Sequence, residues 1–222
     1  MKMIWESFKL SVWVVSLATL IIAVTGLALG LLFAKGRFFG REILASFFTL
    51  PLVLPPTVTG FYLIVLFGRY GLVGEPIYKL TGWSITFTWQ AAVVAAVVLA
   101  LPLMVLSSRA AIESVNPQYE IASYTLGKSQ IATFLLITLP LARRGILAGI
   151  VLSFTRALGE FGATFMLAGN IAGKTQTMPL AIYEAVISGA DKQAQALALI
   201  LTGISVAAVY LTSKLSRGVL RY

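Results

Sequence analysis

Long stretches of this 222-residue chain contain no charged side chain, among them Leu10 to Ala34, Ile43 to Gly68 and Leu80 to Ser108. Each exceeds the roughly 20 apolar residues needed to cross a hydrocarbon core about 30 Å thick. Only 11% of all residues are charged and 59% are apolar, whereas a soluble domain typically has about 25% charged residues. Such a chain belongs in a bilayer, and disordered, collagen-like and disulfide-stapled classes are excluded with the soluble ones.

The predicted fold is all-α: a polytopic membrane protein of about five transmembrane helices, read as one domain over 1–222 with its core at about 11–213. The first span, Ser11 to Phe33, is too long for a signal-peptide core and reads as an uncleaved helix. The second, about Leu44 to Phe67, contains Pro51, Pro55 and Pro56 and should kink or break there, because proline removes backbone donors. The third, about Phe87 to Leu106, is alanine-rich, with a further kink expected at Pro102. A fourth is expected from near Gly145 to about Leu167, and a fifth from about Ala194 to Thr212. The semi-polar segment 169–192 reads as a partly helical loop near the surface, with a sixth crossing left open. Gly26-x-x-x-Gly30 and Gly145-x-x-x-Gly149 would permit close helix contact, within one subunit or between two.

The chain has no cysteine and no histidine, which removes disulfides, thiol catalysis and the commonest general base and metal ligand. Bond chemistry and a metal site are therefore not expected. The formal charge of +9 does not point to nucleic acid, because the basic residues lie mostly in short connections between spans. With five crossings, Lys35, Arg37, Arg41, Arg109, Lys128, Arg143, Arg144, Lys214, Arg217 and Arg221 fall on one side, against Lys2, Lys9, Arg69, Lys79, Lys174 and Lys192 on the other. The positive-inside rule then makes the N-terminus external, the C-terminus cytoplasmic and the 109–144 connection cytoplasmic.

That connection contains a short helix at about 117–127. Asn116 is a good N-cap, Pro117 suits the first helical position, and Gly127 suits the left-handed residue after the last turn. Glu120-x-Ala122, then Gly127, then Ile137-x-Leu139-Pro140, resembles the EAA loop of ABC-importer permeases, with Ile121 replacing the first Ala. The resemblance implies a coupling helix docked on an ATPase subunit, with Glu120, Ala122 and Gly127 in that role. Leu50-Pro51-Leu52-Val53-Leu54-Pro55-Pro56-Thr57-Val58-Thr59-Gly60 looks like the second span of molybdate permeases. Leu158-Gly159-Glu160-Phe161-Gly162-Ala163-Thr164 is similar to a segment shared by molybdate, tungstate and sulfate permeases.

Taken together, the resemblance implies an ABC importer permease fold in a prokaryotic inner membrane, importing molybdate or, alternatively, tungstate or sulfate. It implies a second permease copy in a homodimer, a cytoplasmic ABC ATPase dimer that uses ATP and magnesium, and an extracytoplasmic solute-binding protein. The chain itself has no Gly-x-x-x-x-Gly-Lys-Ser/Thr phosphate loop, so ATP hydrolysis falls to a separate subunit. A gradient-driven transporter or channel subunit is the rival outside this class, and Glu160 is the only mid-membrane carboxylate it would have.

An oxyanion crossing low dielectric needs donors or positive charge along its path. Arg156 is the only basic residue inside a predicted span, with Ser153 beside it and Glu160 four residues on, where the two charges can meet on one helix face. The pair reads either as structural or as part of the translocation path. Thr57 and Thr59, beside the Pro55-Pro56 break, read as helix packing or as path hydroxyls.

Overall fold

The computed structural model describes residues 2–216, which places the basic-tail residues Arg217 and Arg221 outside the described residues. Described residues form α-helices joined by short connections: α1 (Lys2–Lys35), α2 (Arg41–Thr49) with a 3₁₀ turn (Leu50–Leu52), α3 (Pro56–Phe67) and α4 (Gly74–Thr81). Then follow α5 (Trp89–Glu113), α6 (Pro117–Thr125), α7 (Gln130–Thr133), a π turn (Phe134–Thr138), α8 (Leu139–Leu158), α9 (Gly162–Ala168), α10 (Met178–Ile187) and α11 (Asp191–Ser216). Four stretches are long and apolar enough to cross a membrane: Met3–Lys35, Trp89–Glu113, Gln130–Leu158 and Asp191–Leu211. A fifth is the broken pair Arg41–Leu52 and Pro56–Phe67, bent by 113°. The bend falls where Pro55 and Pro56 interrupt the backbone donors, as the sequence requires.

The α5 helix is the centre of the bundle, with α1 and α8 packed on it. Its alanines Ala91, Ala92, Ala95, Ala96 and Ala100 are buried, and small side chains let helix backbones approach closely where no hydrophobic driving force separates protein from lipid. The glycine pairs have the same function, and their partner lies in the same subunit. A Cβ on Gly26 would lie 2.6 Å from Met104 Cγ, and one on Gly30 would lie 2.0 Å from Ser108 Oγ. On α8, a Cβ on Gly145 would lie 2.6 Å from Ala111 Cβ, and one on Gly149 would lie 2.7 Å from Ser107 Cβ. The Ser108 hydroxyl, fully buried, donates to the Gly26 carbonyl at 3.1 Å and ties α1 to α5.

The α5 helix runs unbroken from Trp89 to Glu113 with Pro102 inside it. Two expectations are corrected. The fourth crossing is Gln130–Leu158, not Gly145 to Leu167. It ends at Gly159, because the Glu160 side chain accepts the Ala163 N–H and starts a separate helix, α9. Finally, 169–192 is not a surface loop: Thr175, Gln176, Thr177, Met178, Leu180 and Ala181 are buried, and α10 packs between α11 and α1. The Met178 N–H donates to Ser11 Oγ of α1 at 2.7 Å. Ten helical residues in α10 rise about 15 Å, half the hydrocarbon core, so this segment is not a sixth full crossing. Outside the core, large apolar side chains such as Leu20, Val24, Ile43 and Val53 lie open, a surface suited to lipid or to another subunit and not to water.

Candidate coupling and translocation sites

The short helix α6 forms as its sequence grammar predicts. Asn116 Oδ1 accepts the Gln118 N–H at 3.0 Å, Pro117 takes the first helical position, and Gly127 adopts φ 77°. Lys128 N–H then reaches back to the Ser123 carbonyl at 3.1 Å, closing the C-terminal end. With α5 running in and α7 running out, the helix sits at one end of the bundle, and Tyr119, Ile121, Ala122, Tyr124 and Leu126 are exposed.

Glu120 is not on that open face. Its carboxylate receives the Lys35 ammonium of α1 at 2.8 Å and the Thr138 hydroxyl of the π turn at 2.6 Å, and its side chain is only 12% exposed. Burial opposes the charge, but the Lys35 and Thr138 contacts outweigh it and hold the carboxyl below its ordinary value. A second tie is the hydroxyl pair Ser123 and Thr133, 2.9 Å apart and buried. The helix is thus fastened to α1 by charge and to the start of the fourth crossing by two hydroxyls. Lys35, Thr138, Ser123 and Thr133 were not identifiable from sequence, since Lys35 and Glu120 are 85 positions apart. At the same end, Arg109 forks onto both oxygens of Glu42 at 3.0 and 3.1 Å and donates to Glu113 at 2.8 Å, joining the start of α2 to the end of α5.

Deeper in the bundle, Arg156 Nη1 donates to Glu160 Oε2 at 2.8 Å, as the i,i+4 spacing requires. The pair is asymmetric: the Glu160 side chain is 2% exposed and the Arg156 side chain 30%. Glu160 also accepts the Ala163 N–H at 2.8 Å, so one carboxylate both neutralises the arginine and caps α9. The break in the second crossing meets the start of α9. A Cβ on Gly162 would lie 3.0 Å from Pro56 Cβ and 3.4 Å from Thr57 N, and one on Gly60 would lie 2.9 Å from Ala163 Cα. Thr57 is exposed, whereas Thr59 and Ser153 are buried and, among the described residues, their hydroxyls have no hydrogen-bond partner. No group of three or more His, Cys, Asp or Glu side chains is clustered among the described residues.

The model of the family described as "Binding-protein-dependent transport system inner membrane component" matches residues 26–221. The molybdenum transport system permease protein ModB of Haemophilus influenzae is 43% identical over 84% of this chain and 82% of its own. ModB of Escherichia coli K12 is 40% identical over 96% of this chain and 93% of its own. Among solved structures, a bacterial ABC transporter that imports the acidic polysaccharide alginate superposes with a TM-score of 0.79 at 16% identity, covering 100% of this chain and 81% of that one. That likeness concerns the fold alone. The match over residues 26–221 includes the broken second crossing, the short helix α6 and the Arg156–Glu160 pair, and with the identity to both ModB proteins it places this multi-pass chain in the family of binding-protein-dependent transport system inner membrane components.

Proposed function

We propose that the chain is the membrane-spanning permease of an ABC importer for molybdate, and that it works as a homodimer with a cytoplasmic ATPase dimer and an extracytoplasmic solute-binding protein. The observation that carries the substrate is the 40% identity to a molybdenum permease over 96% of the chain. The N-terminus is external and the end of the bundle bearing α6 is cytoplasmic, a reading supported by the charge bias of the connections. The exposed apolar face of α6 docks on the ATPase. ATP and magnesium act in that partner, and the permease itself makes and breaks no bonds.

The geometry supports a route for the force. A push on α6 is carried to α1 through Glu120 and Lys35, and to α8 through Ser123–Thr133 and Thr138. Closure of the ATPase pair thereby tilts two crossings together and changes which side of the membrane the pathway faces. Arg156 stands in the last turn of the fourth crossing with its side chain 30% exposed, a charge better matched by a second copy or a polar path at that face than by lipid tails.

The test is reconstitution of permease, ATPase and binding protein in liposomes. Radiolabelled molybdate should accumulate only with ATP inside, and the ATP requirement separates this reading from gradient-driven transport. Competition by unlabelled tungstate and sulfate ranks the anions. Uptake of sulfate but not of molybdate would refute the substrate assignment.

A further inference from the structure

At the α6 end of the bundle, a groove of about 860 Å³ runs between the last two turns of α1 and the α7–π segment. Its volume is in the range of small-molecule sites, about 300–1,000 Å³. Its lining mixes two chemistries. Leu31, Phe134 and Leu135 form its apolar lining, on helices long and apolar enough to cross a membrane, and Lys35, Arg37 and Tyr124 stand beside them as polar lining. Lys35 is neutralised by Glu120, but among the described residues Arg37 has no ion-pair or hydrogen-bond partner, so the groove carries one uncompensated positive charge.

We infer that this groove is a binding site for an anionic phospholipid, whose phosphate meets Arg37 and whose acyl chain lies along Leu31, Phe134 and Leu135. An occupant that was apolar throughout would bury the guanidinium without a counter-charge, which is costly. A soluble anion would leave the apolar lining uncovered. A molecule that is anionic at one end and hydrocarbon at the other satisfies both, and a bilayer is made of such molecules. Basic pockets between membrane helices are recognised sites for anionic head groups. The groove adjoins Glu120 and Lys35, so an occupied site would bear directly on the link between α6 and α1.

The experiment uses the purified full transport complex in nanodiscs and photoactivatable analogues of phosphatidylglycerol and phosphatidylcholine, with labelled peptides mapped by mass spectrometry. Peptides from 28–37 and 130–138 should take up the anionic analogue on the order of fivefold more than the zwitterionic one, the ratio for ~1 kcal/mol per basic residue near an anionic surface. Arg37→Gln should bring the ratio to about one, while Arg69→Gln, at the other end of the bundle, should leave it unchanged. Equal labelling by both lipids, or a preference that survives Arg37→Gln, would overturn the inference. Loss of labelling on adding millimolar phosphate or molybdate would assign the site to a free anion instead. A photoreactive residue at Leu32 that crosslinks to the second permease copy or to the ATPase would show that protein fills the groove, and would equally overturn it.

Discussion

Replacing Gly30 by alanine tests the packing that organises the bundle. The added Cβ would lie 2.0 Å from Ser108 Oγ, 2.9 Å from Ser108 Cβ and 3.0 Å from the backbone nitrogen of Arg109. A side-chain rotation cannot relieve the last contact, so α1 must move away from α5. Overpacking of this kind costs about 1–3 kcal/mol. Separation also stretches the Ser108 to Gly26 hydrogen bond, 3.1 Å long, and such interhelical bonds contribute ~0.6–1.7 kcal/mol. The intrinsic gain of alanine over glycine in a helix, up to ~1 kcal/mol, offsets part of this. A net loss of about 1–3 kcal/mol is expected, a fall of roughly five- to 150-fold in the folded-to-unfolded ratio. Gly203→Ala on α11 is the internal control, because nothing lies within 4 Å of its Cβ. The assay is unfolding of the purified chain by sodium dodecyl sulfate in mixed micelles, followed by tryptophan fluorescence. Ser108→Gly in the Gly30→Ala background removes the two contacts to the serine side chain and should restore part of the loss. Equal stability of Gly30→Ala and Gly203→Ala would refute the packing argument.

Four further outcomes are expected. Glu120→Lys should abolish molybdate uptake while the chain still inserts, because it sets two ammonium groups against each other at Lys35, and Gly127→Pro should do the same by forbidding the left-handed turn; normal uptake in either variant would refute the coupling role of α6. The Glu120 carboxyl is lowered in the folded chain, so its contribution is full above the ordinary carboxylate value and lost only as pH falls through the lowered one. Pull-down of the ATPase should therefore be flat with respect to this group between pH 7 and pH 5, both about or above the ordinary value, and a wild-type loss in that interval that is absent in Glu120→Gln would contradict the sign. Arg156→Ala leaves a buried carboxylate without its cation, at a cost of about 3–5 kcal/mol; Arg156→Met with Glu160→Gln, which keeps an acceptor for the Ala163 N–H, should recover assembly and uptake, and assembly without uptake would assign the arginine to the anion path. Single cysteines at Lys128 and Lys79 in this cysteine-free chain should label from opposite sides of sealed cells, and external labelling at position 128 would invert the topology.

The crossings were legible because hydropathy is a one-dimensional signal: long uncharged runs gave α1, the broken α2–α3 pair and α5. The fourth crossing was misplaced at both ends for opposite reasons. Its start was hidden because Gln130, Arg143 and Arg144 break the apolar run, although polar residues are tolerated in a helix near the membrane surface. Its end was overshot because Glu160 looked like one more residue of the same helix face. In the structure the same carboxylate pairs backwards with Arg156 and caps forwards onto Ala163, so the helix stops where the sequence pattern continues. The segment 169–192 was misread because its polar residues suggested solvent, whereas Asn170 donates to Glu184 at 2.9 Å and Thr175 receives the Ile171 N–H at 3.0 Å. Polar groups paired in this way do not require water, although Asn170 Oδ1, Gln176 Oε1 and Thr177 Oγ1 of the same segment are buried without a hydrogen-bond partner among the described residues. The glycine pairs named a close approach but not the helix approached, since spacing carries no information about the partner.

Around α6 the sequence identified the parts and the structure shows how they fit together. The resemblance rested on a glutamate and on a distant Ile-x-Leu-Pro tail, with nothing in the spacing to say why they should occur together. Pro140 supplies no backbone donor, and the helix widens just before it: Leu139 N–H reaches back to the Phe134 carbonyl through the π turn. The residue between Ile137 and Leu139 is Thr138, and from that widened turn its hydroxyl meets Glu120 Oε1. The glutamate and the tail are therefore two sides of one contact. On the other oxygen, Lys35 closes the same contact onto α1. A carboxylate expected to point at a partner protein instead binds α6 to two crossings of its own chain, and Tyr119, Ile121, Ala122 and Leu126 are left exposed. The same arrangement accommodates the departure at Ile121: an exposed position can accept a larger apolar side chain, whereas the buried link through Glu120 cannot change without losing both of its partners.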